Sequence, residues 1–182
     1  MGLDMYLYAI KYESWSNWNG NKKPISYPKA LEELKENIKE RNFLSKETKY
    51  QIGYWRKFNA LHSHIVNTYN DGEDNCSPIW LSRESIEDIL KVCKEVLEDL
   101  KTCPKTKKKI KCGWQNGEPL YEEIEVYDSE VALEKLSPSS GFFFGSQDID
   151  EWYKEDLEYT IQLLEKCLNL KGNFEFEYQA SW

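Results

Sequence analysis

Polar and apolar residues alternate near both ends of this chain. In the segment from Gly2 to Tyr12, and again from Phe174 to Gln179, every second side chain is hydrophobic or aromatic. A period of two residues places these side chains on one face of a β-strand. The pattern therefore predicts a half-buried strand in each of the two segments.

Between these strands, hydrophobic residues recur every three or four positions, as in amphipathic helices. Pro28 suits the first turn of a helix that runs to about Glu40, and Ser82 caps another helix that Pro104 stops. The same spacing predicts a short helix at 129–136 and a longer one from about Lys49 to Tyr69, with Trp55, Phe58, His62, Ile65 and Tyr69 on one face.

A run of three phenylalanines, Phe142 to Phe144, precedes the last predicted helix. Three consecutive aromatic rings are unfavourable in water, so we expect this loop to be buried between its flanking glycines. The helix begins with a capping box in which Asp148 and Glu151 satisfy each other's backbone N–H. Its apolar stripe contains Ile149, Trp152, Tyr153, Leu157, Ile161, Leu164 and Leu168, and the opposite face carries Asp150, Glu151, Glu155, Asp156, Glu158 and Glu165.

Two strand-like segments, 107–114 and 120–127, flank the dipeptide Asn116-Gly117, which is a strong signal for a β-hairpin. The first arm is rich in lysine and the second in glutamate, so opposite charges favour their pairing. We predict a single α+β domain over residues 1–182. In it, a small antiparallel sheet of the terminal strands and the hairpin packs against about four helices.

The composition is that of a folded protein, with 40% hydrophobic and 14% aromatic residues. No apolar run approaches the roughly 20 residues of a membrane span, and the first residues lack the basic flank of a signal peptide. Five cysteines form no Cys-x-x-Cys pair, which indicates reduced thiols. We expect a soluble protein in the bacterial cytoplasm, without a membrane partner.

The net charge of −8 is unevenly distributed along the chain. Residues 113–182 contain 16 acidic residues and four lysines, whereas residues 1–112 have a net charge of +4. An acidic surface repels nucleic acid and attracts basic proteins, although it also serves general solubility. Direct binding of nucleic acid is therefore not expected.

The chain contains no familiar catalytic or metal-binding motif. His62 and His64 are the only histidines, and a spacing of two residues does not place both on one helix face, as a zinc pair requires. His62 shares an apolar face and is expected to pack in the core. The segment 141–146 has two glycines but lacks the lysine of a phosphate-binding loop. We predict no catalytic residue, no metal and no cofactor.

Several aromatic residues lie in or beside polar segments. Exposed aromatic residues surrounded by acidic ones are typical of protein-binding surfaces. For two of them, Trp15 and Trp18, packing on the core is the alternative. The set comprises Trp15, Trp18, Tyr27, Tyr50, Tyr121, Tyr127 and Trp182.

Four segments resemble a family of small phage and prophage proteins of low-GC Gram-positive bacteria. These segments are Gly2–Leu7, Tyr54–Lys57, Gly141–Ser146 and Tyr178–Trp182, so the resemblance spans the chain. The length and the clostridial composition are also similar to a type II-A anti-CRISPR protein, an inhibitor of Cas9. No short motif defines such inhibitors, so the resemblance assigns no site residues.

The resemblance implies a non-enzymatic inhibitor that contacts Cas9, or another basic nucleic-acid-binding protein, through an acidic surface. Cas9 holds nucleic acid in basic channels and reads its target with arginines, so an acidic protein can compete for these surfaces. The alternative is a phage enzyme that acts on nucleotides or nucleic acid with a site near Arg56, Asn59 and His62. The predicted partner-binding residues are Glu122, Glu123, Glu125, Asp128, Asp150, Glu151, Glu155 and Glu158.

Overall fold

The computed structural model describes residues 2–16, 43–115, 117–141 and 144–182. The helix predicted at 28–40 lies outside these ranges, as do Trp18, Tyr27, Phe142 and Phe143, and so does the side chain of Trp15. The described residues form six strands and four helices with antiparallel sheets, which confirms the predicted α+β class.

Two separate antiparallel sheets contain the six strands. The strands are β1 (Asp4–Ser16), β2 (Phe43–Arg56), β3 (Ile79–Leu81), β4 (Lys105–Gln115), β5 (Glu118–Tyr127) and β6 (Phe174–Ser181). The larger sheet has the order β2-β1-β6-β3, and β4 and β5 form the smaller one. The predicted hairpin is thus confirmed, but it makes a sheet of its own and does not extend the sheet of the terminal strands.

The two strands predicted near the chain ends lie next to each other in the larger sheet. Asp4 of β1 is opposite Ser181 of β6, and the pairing continues to Lys11 and Phe174. The alternating residues of β1 face the core as predicted, because the side chains of Met5, Leu7 and Ala9 are buried.

The helices cover the core on the other side of the buried side chains. They are α1 (Asn59–Tyr69), α2 (Arg83–Leu100), α3 (Glu130–Lys135) and α4 (Glu151–Leu168). Ser82 caps α2 as predicted, since its hydroxyl accepts the Ser85 N–H at 3.1 Å. Helices α2 and α4 pack on each other and bury Cys93 and Cys167, which are free thiols. No helix in the described ranges is long and apolar enough to cross a membrane.

The helix predicted from Lys49 to Tyr69 is wrong in its first half, because residues 49–56 belong to β2. Gly53 and Trp55 are buried whereas Tyr54 and Arg56 are exposed, which is the period of a strand. Aromatic and β-branched residues around a glycine also favour a strand over a helix. A Cβ at position 53 would lie 2.4 Å from Leu163 Cδ2, so glycine at this position lets α4 pack closely on β2.

The start of α4 differs from the predicted capping box. The N-cap is Asp150 rather than Asp148, and its carboxylate accepts the Tyr153 N–H at 3.0 Å. Ile149 therefore precedes the helix, and its spacing to Trp152 is not a helical one. Measured from the buried Leu157, Trp152 lies about 140° around the axis. It is accordingly 75% exposed and does not belong to the apolar stripe.

At the tip of the hairpin Gln115 of β4 pairs with Glu118 of β5, and Gly117 has a φ of +83°. Lysines of β4 face glutamates of β5 as predicted: Lys105 pairs with Glu125 at 3.3 Å, and Lys107 with Glu123 at 3.9 Å. Opposite charges on facing strands thus favour the pairing of the hairpin, although ion pairs as exposed as these contribute little to stability.

The base of the hairpin is attached to the start of α4 through Tyr127. Its N–H donates to the Ile149 carbonyl at 2.7 Å, and its hydroxyl donates to the Glu151 carboxylate at 2.7 Å. Tyr127 is consequently buried, which contradicts the prediction that it is an exposed contact residue. Tyr50, Tyr121 and Trp182 are exposed as predicted.

Candidate functional site

A cleft of about 430 Å³ opens between the end of β2 and the beginning of α4. One wall contains two cationic residues from the β2–α1 junction. The opposite wall contains carboxylates and aromatic rings from the first two turns of α4 and the segment before it. The charged and aromatic residues that line these two walls include Arg56, Lys57, Asp148, Asp150, Trp152, Tyr153, Glu155 and Asp156.

The β2–α1 junction has an unusual backbone conformation. Lys57 has a φ of +65°, in the left-handed region that residues other than glycine seldom adopt. Its N–H donates to the Leu3 carbonyl at 2.8 Å, which holds the turn in place. Gly145 packs directly against it, because a Cβ at position 145 would lie 3.0 Å from Lys57 Cβ. The Lys57 turn and Gly145 therefore fix each other at the edge of the cleft.

Asn59 connects the same two segments. Its side chain is 3% exposed, and its amide nitrogen donates to the carbonyls of Phe144 at 2.9 Å and Ser146 at 2.8 Å. Its amide oxygen accepts the Ser139 N–H at 3.0 Å. Both N–H donors and the oxygen are thus engaged by the loop. Asn59 therefore acts as a clamp: its side chain holds the backbone of residues 139, 144 and 146 against the start of α1, at one edge of the cleft.

Asp150 is buried in the wall of the cleft. It is 7% exposed because an N-cap side chain folds back over the first turn of its own helix. The prediction that Asp150 lies on the exposed face of the helix is therefore wrong. Its neighbour Asp148 pairs with Lys108 of the hairpin at 2.6 Å.

The acidity of Asp156 is perturbed by its position in the cleft. Desolvation, with smaller contributions from the charges of Glu155 and Asp150, raises the pKa of its carboxyl group to about 6. Its carboxylate forms no hydrogen bond or ion pair with any described residue. A carboxylate whose charged form is disfavoured inside a cleft is more typical of a binding site than of a structural position.

Replacing Asp156 with asparagine is expected to raise the free energy of unfolding at pH 7.5 by about 1 kcal/mol, because it removes a charge that desolvation disfavours. The effect is limited to this size because water partly screens the half-buried carboxylate. The pKa of Asp156 is raised above the unfolded value of 3.8, so the stability that its protonated form contributes is complete below pH 3.8 and is lost as the pH rises through about 6. Urea denaturation at about pH 4 and at pH 7.5 measures this.

We expect the two proteins to converge at the lower pH. The matched control is Glu87→Gln on the exposed side of α2, for which no change with pH is expected. A stability difference between Asp156→Asn and the unaltered protein that is the same at both pH values would contradict the prediction.

The other seven predicted partner-binding residues are exposed or partly exposed, but several are paired internally. In the hairpin, Glu123 and Glu125 are engaged by lysines of the facing strand. Lys105 also lies over the Tyr127 ring, 4.4 Å from its centroid. The acidic arm of the hairpin is therefore partly neutralised. Glu122 and Asp128 form no ion pair with another described residue.

The exposed side of α4 keeps an excess of negative charge. Lys154 lies 2.8 Å from Glu151 and 3.9 Å from Glu158, so one lysine faces two glutamates. Glu155 lies on the same side, one turn after Glu151. We call Glu151, Trp152, Glu155 and Glu158 the α4 face; with Lys154 it carries a net charge of −2.

Sequence reasoning missed Trp152 as a surface residue. Trp152 precedes Glu155 by three positions and Asp156 by four, so the indole ring lies between these two carboxylates around the helix. The sequence nevertheless indicates that Trp152 is exposed, because Trp152 and Leu157 are five residues apart and this spacing does not place both on one apolar stripe.

His62 lies in the core, as predicted. It is 2% exposed, with Nδ1 2.8 Å from the Tyr178 hydroxyl and Nε2 3.0 Å from an Asp74 oxygen. Burial raises the pKa of Tyr178 well above its usual value, so the group beside Nδ1 is a protonated hydroxyl. The Asp74 carboxylate can only accept, so Nε2 carries a proton and donates to it.

This arrangement bears on the alternative enzyme site. Arg56 and Asn59 line the cleft, but His62 does not, and both of its ring nitrogens are already engaged. The three residues are therefore not brought together in one accessible site. In the part of the chain that the structure describes, no group of three or more His, Cys, Asp or Glu side chains is arranged to hold a metal ion.

Comparisons of the chain with protein-family models, with curated proteins and with solved structures find no match.

Proposed function

We propose that this protein is a binding inhibitor that docks its α4 face on a basic surface of Cas9. The observation that carries the proposal is Trp152, which is largely exposed between acidic residues at the mouth of a cleft. Interfaces concentrate binding free energy in aromatic anchors of this kind, and charged residues around them direct association.

Electrostatics supports a basic partner. The α4 face is net negative, and Asp156 and the buried Asp150 add further negative charge within the cleft beside it. A basic groove that normally holds nucleic acid offers the complementary charge. Cas9 is such a partner because it holds its nucleic acids in strongly basic channels. The choice of Cas9 among basic proteins rests on the sequence resemblance.

The direct test is a Cas9 cleavage assay with the purified protein titrated against the Cas9–guide complex, and gel-shift binding in parallel. We expect inhibition at near-stoichiometric amounts, while the DNA and the guide RNA remain intact. Inhibition is expected to weaken as salt rises, since the exposed charges are screened within about 10 Å at 0.1 M. An absence of inhibition and of binding across Cas9 orthologues would overturn the proposal.

Reversing the charge of the α4 face is expected to reduce inhibition at least about tenfold, because attraction to the basic partner becomes repulsion. The variant is Glu151→Lys, Glu155→Lys and Glu158→Lys combined. Asp150 remains unchanged because it caps the helix. Inhibition constants and thermal stability are measured for both proteins.

The matched control reverses three acidic residues on the exposed side of α2, namely Glu87, Asp88 and Glu98. It changes the net charge by the same amount, so a general charge effect would reduce inhibition equally in both variants. Equal loss in the two variants would show that the α4 face is not the docking surface.

A further inference from the structure

Building on the proposed function, we infer that the cleft receives an arginine side chain of the partner, with the guanidinium held between the Trp152 ring and the carboxylates of Asp150, Glu155 and Asp156. The partner chemistry is thus a protruding arginine rather than a diffuse basic patch. The volume of about 430 Å³ lies in the range of pockets that hold small ligands.

The charges of the cleft favour a cation. Four carboxylates line it against the two cations Arg56 and Lys57. The pair between Asp148 and Lys108 uses one of the carboxylates. Neither Arg56 nor Lys57 forms an ion pair with another described residue, and the other three carboxylates on the α4 wall likewise have no ion-pair partner among the described residues. The two cations on the opposite wall direct an incoming guanidinium to the α4 wall.

Asp150 supplies a buried acceptor that its own structure does not fully use. One carboxylate oxygen accepts the Tyr153 N–H. The second forms no hydrogen bond within the described residues, although the side chain is nine-tenths buried in the cleft wall. Asp150 is one of the residues that line the cleft. A guanidinium N–H satisfies an acceptor of this kind.

Trp152 selects arginine over lysine. Its exposed ring lies beside the acidic residues of the cleft and can stack against a planar cation. A guanidinium presents its flat face to the indole while its edge donates two parallel hydrogen bonds to a carboxylate, whereas an ammonium group has neither the flat face nor this planar fork of donors.

Asp156 couples binding to pH. Its pKa of about 6 reflects desolvation and the charges of Glu155 and Asp150, while Arg56 and Lys57 face it from the β2–α1 junction. A bound cation stabilises the ionised carboxylate. Affinity should therefore fall about tenfold from pH 7.5 to pH 5, where about nine-tenths of this carboxyl group is protonated.

The experiment is an NMR titration of the ¹⁵N-labelled protein with Nα-acetylarginine amide, with the lysine and citrulline analogues in parallel. We expect saturable shifts of the Trp152 indole N–H and the backbone N–H groups of 151–156, with an affinity on the order of millimolar for so small a ligand. The lysine analogue should bind more weakly. The uncharged citrulline analogue has nearly the same shape as arginine and should not bind.

Two variants and their controls locate the site. Trp152→Ala should abolish the shifts, whereas Trp80→Ala, at a 52% exposed position on β3 at the far edge of the sheet, should leave them unchanged. Asp156→Asn should remove the pH dependence, whereas Glu87→Gln should keep it. Equal binding of citrulline, or shifts that survive Trp152→Ala, would overturn the inference.

The two proposals fail in different ways. Arginine binding in the cleft without inhibition of Cas9 would overturn the proposed function and leave the arginine site intact. Inhibition of Cas9 that Trp152→Ala does not weaken, together with no binding of acetylarginine amide, would overturn the arginine site and leave the proposed function intact.

Discussion

Asn59→Ala is expected to lower the free energy of unfolding by about 3 kcal/mol, because it removes three hydrogen bonds and leaves their partners unsatisfied in a buried position. The partners are the carbonyls of Phe144 and Ser146 and the N–H of Ser139. We also expect the loop to move away from the Lys57 turn, which would open one edge of the cleft.

Urea denaturation measures the change in stability, and the matched control is Asn67→Ala in the same helix. Asn67 is exposed and makes one side-chain hydrogen bond, to Ser63 at 3.1 Å, so its removal should cost at most about 0.5 kcal/mol. A loss for Asn59→Ala no larger than that for Asn67→Ala would show that the clamp contributes little to stability.

His62→Ala is expected to destabilise the protein by about 4 kcal/mol, since it creates a cavity and leaves the Tyr178 hydroxyl without a partner. The ring also packs edge-on against Phe144, with 5.3 Å between the ring centroids. Asp74 would keep its contact with the Trp182 indole N–H at 3.2 Å. Thermal and urea denaturation measure the effect.

The control is His64→Ala two residues away, where the ring is only partly buried and burial lowers the pKa of the imidazole. We expect a loss of about 1 kcal/mol at this position. Under the binding hypothesis, His62→Ala should lose inhibitory activity only in proportion to the unfolded fraction. A variant that stays folded and nevertheless loses all activity would favour a chemical role for His62.

Much of the secondary structure could be predicted because local chemistry decides it. The alternating patterns of β1 and β6 predict strands, and the Asn-Gly signal predicts a hairpin, with no competing interpretation in either case. The structure confirms both strands and the hairpin. The sequence of the segment 49–56 is compatible with a strand and with a helix, because Trp55 also fits a helical spacing with Phe58. In the structure Leu163 packs closely on Gly53, which a strand with glycine at this position allows. The local pattern cannot predict a contact between residues so far apart in the chain.

The candidate site was less predictable than the fold. The acidic bias of the C-terminal half predicts a partner-binding surface on α4, but it does not show which carboxylates face solvent. Asp150 caps the helix, while Asp148 pairs with Lys108 of the hairpin. The pairing of Asp148 is a tertiary contact that the local spacing of residues does not reveal, and the same is true of the packing that encloses the cleft.

The pairing of β1 with β6 also has a consequence for the time course of folding in the cell. During translation, β1 leaves the ribosome before the other described elements, and it cannot gain its second neighbour until β6 has emerged, after all four described helices. Contacts between such distant segments form slowly, because a long loop must close before they contribute. One edge of β1 therefore stays unpaired until β6 has been synthesised, and exposed strand edges of this kind are sites at which nascent chains aggregate.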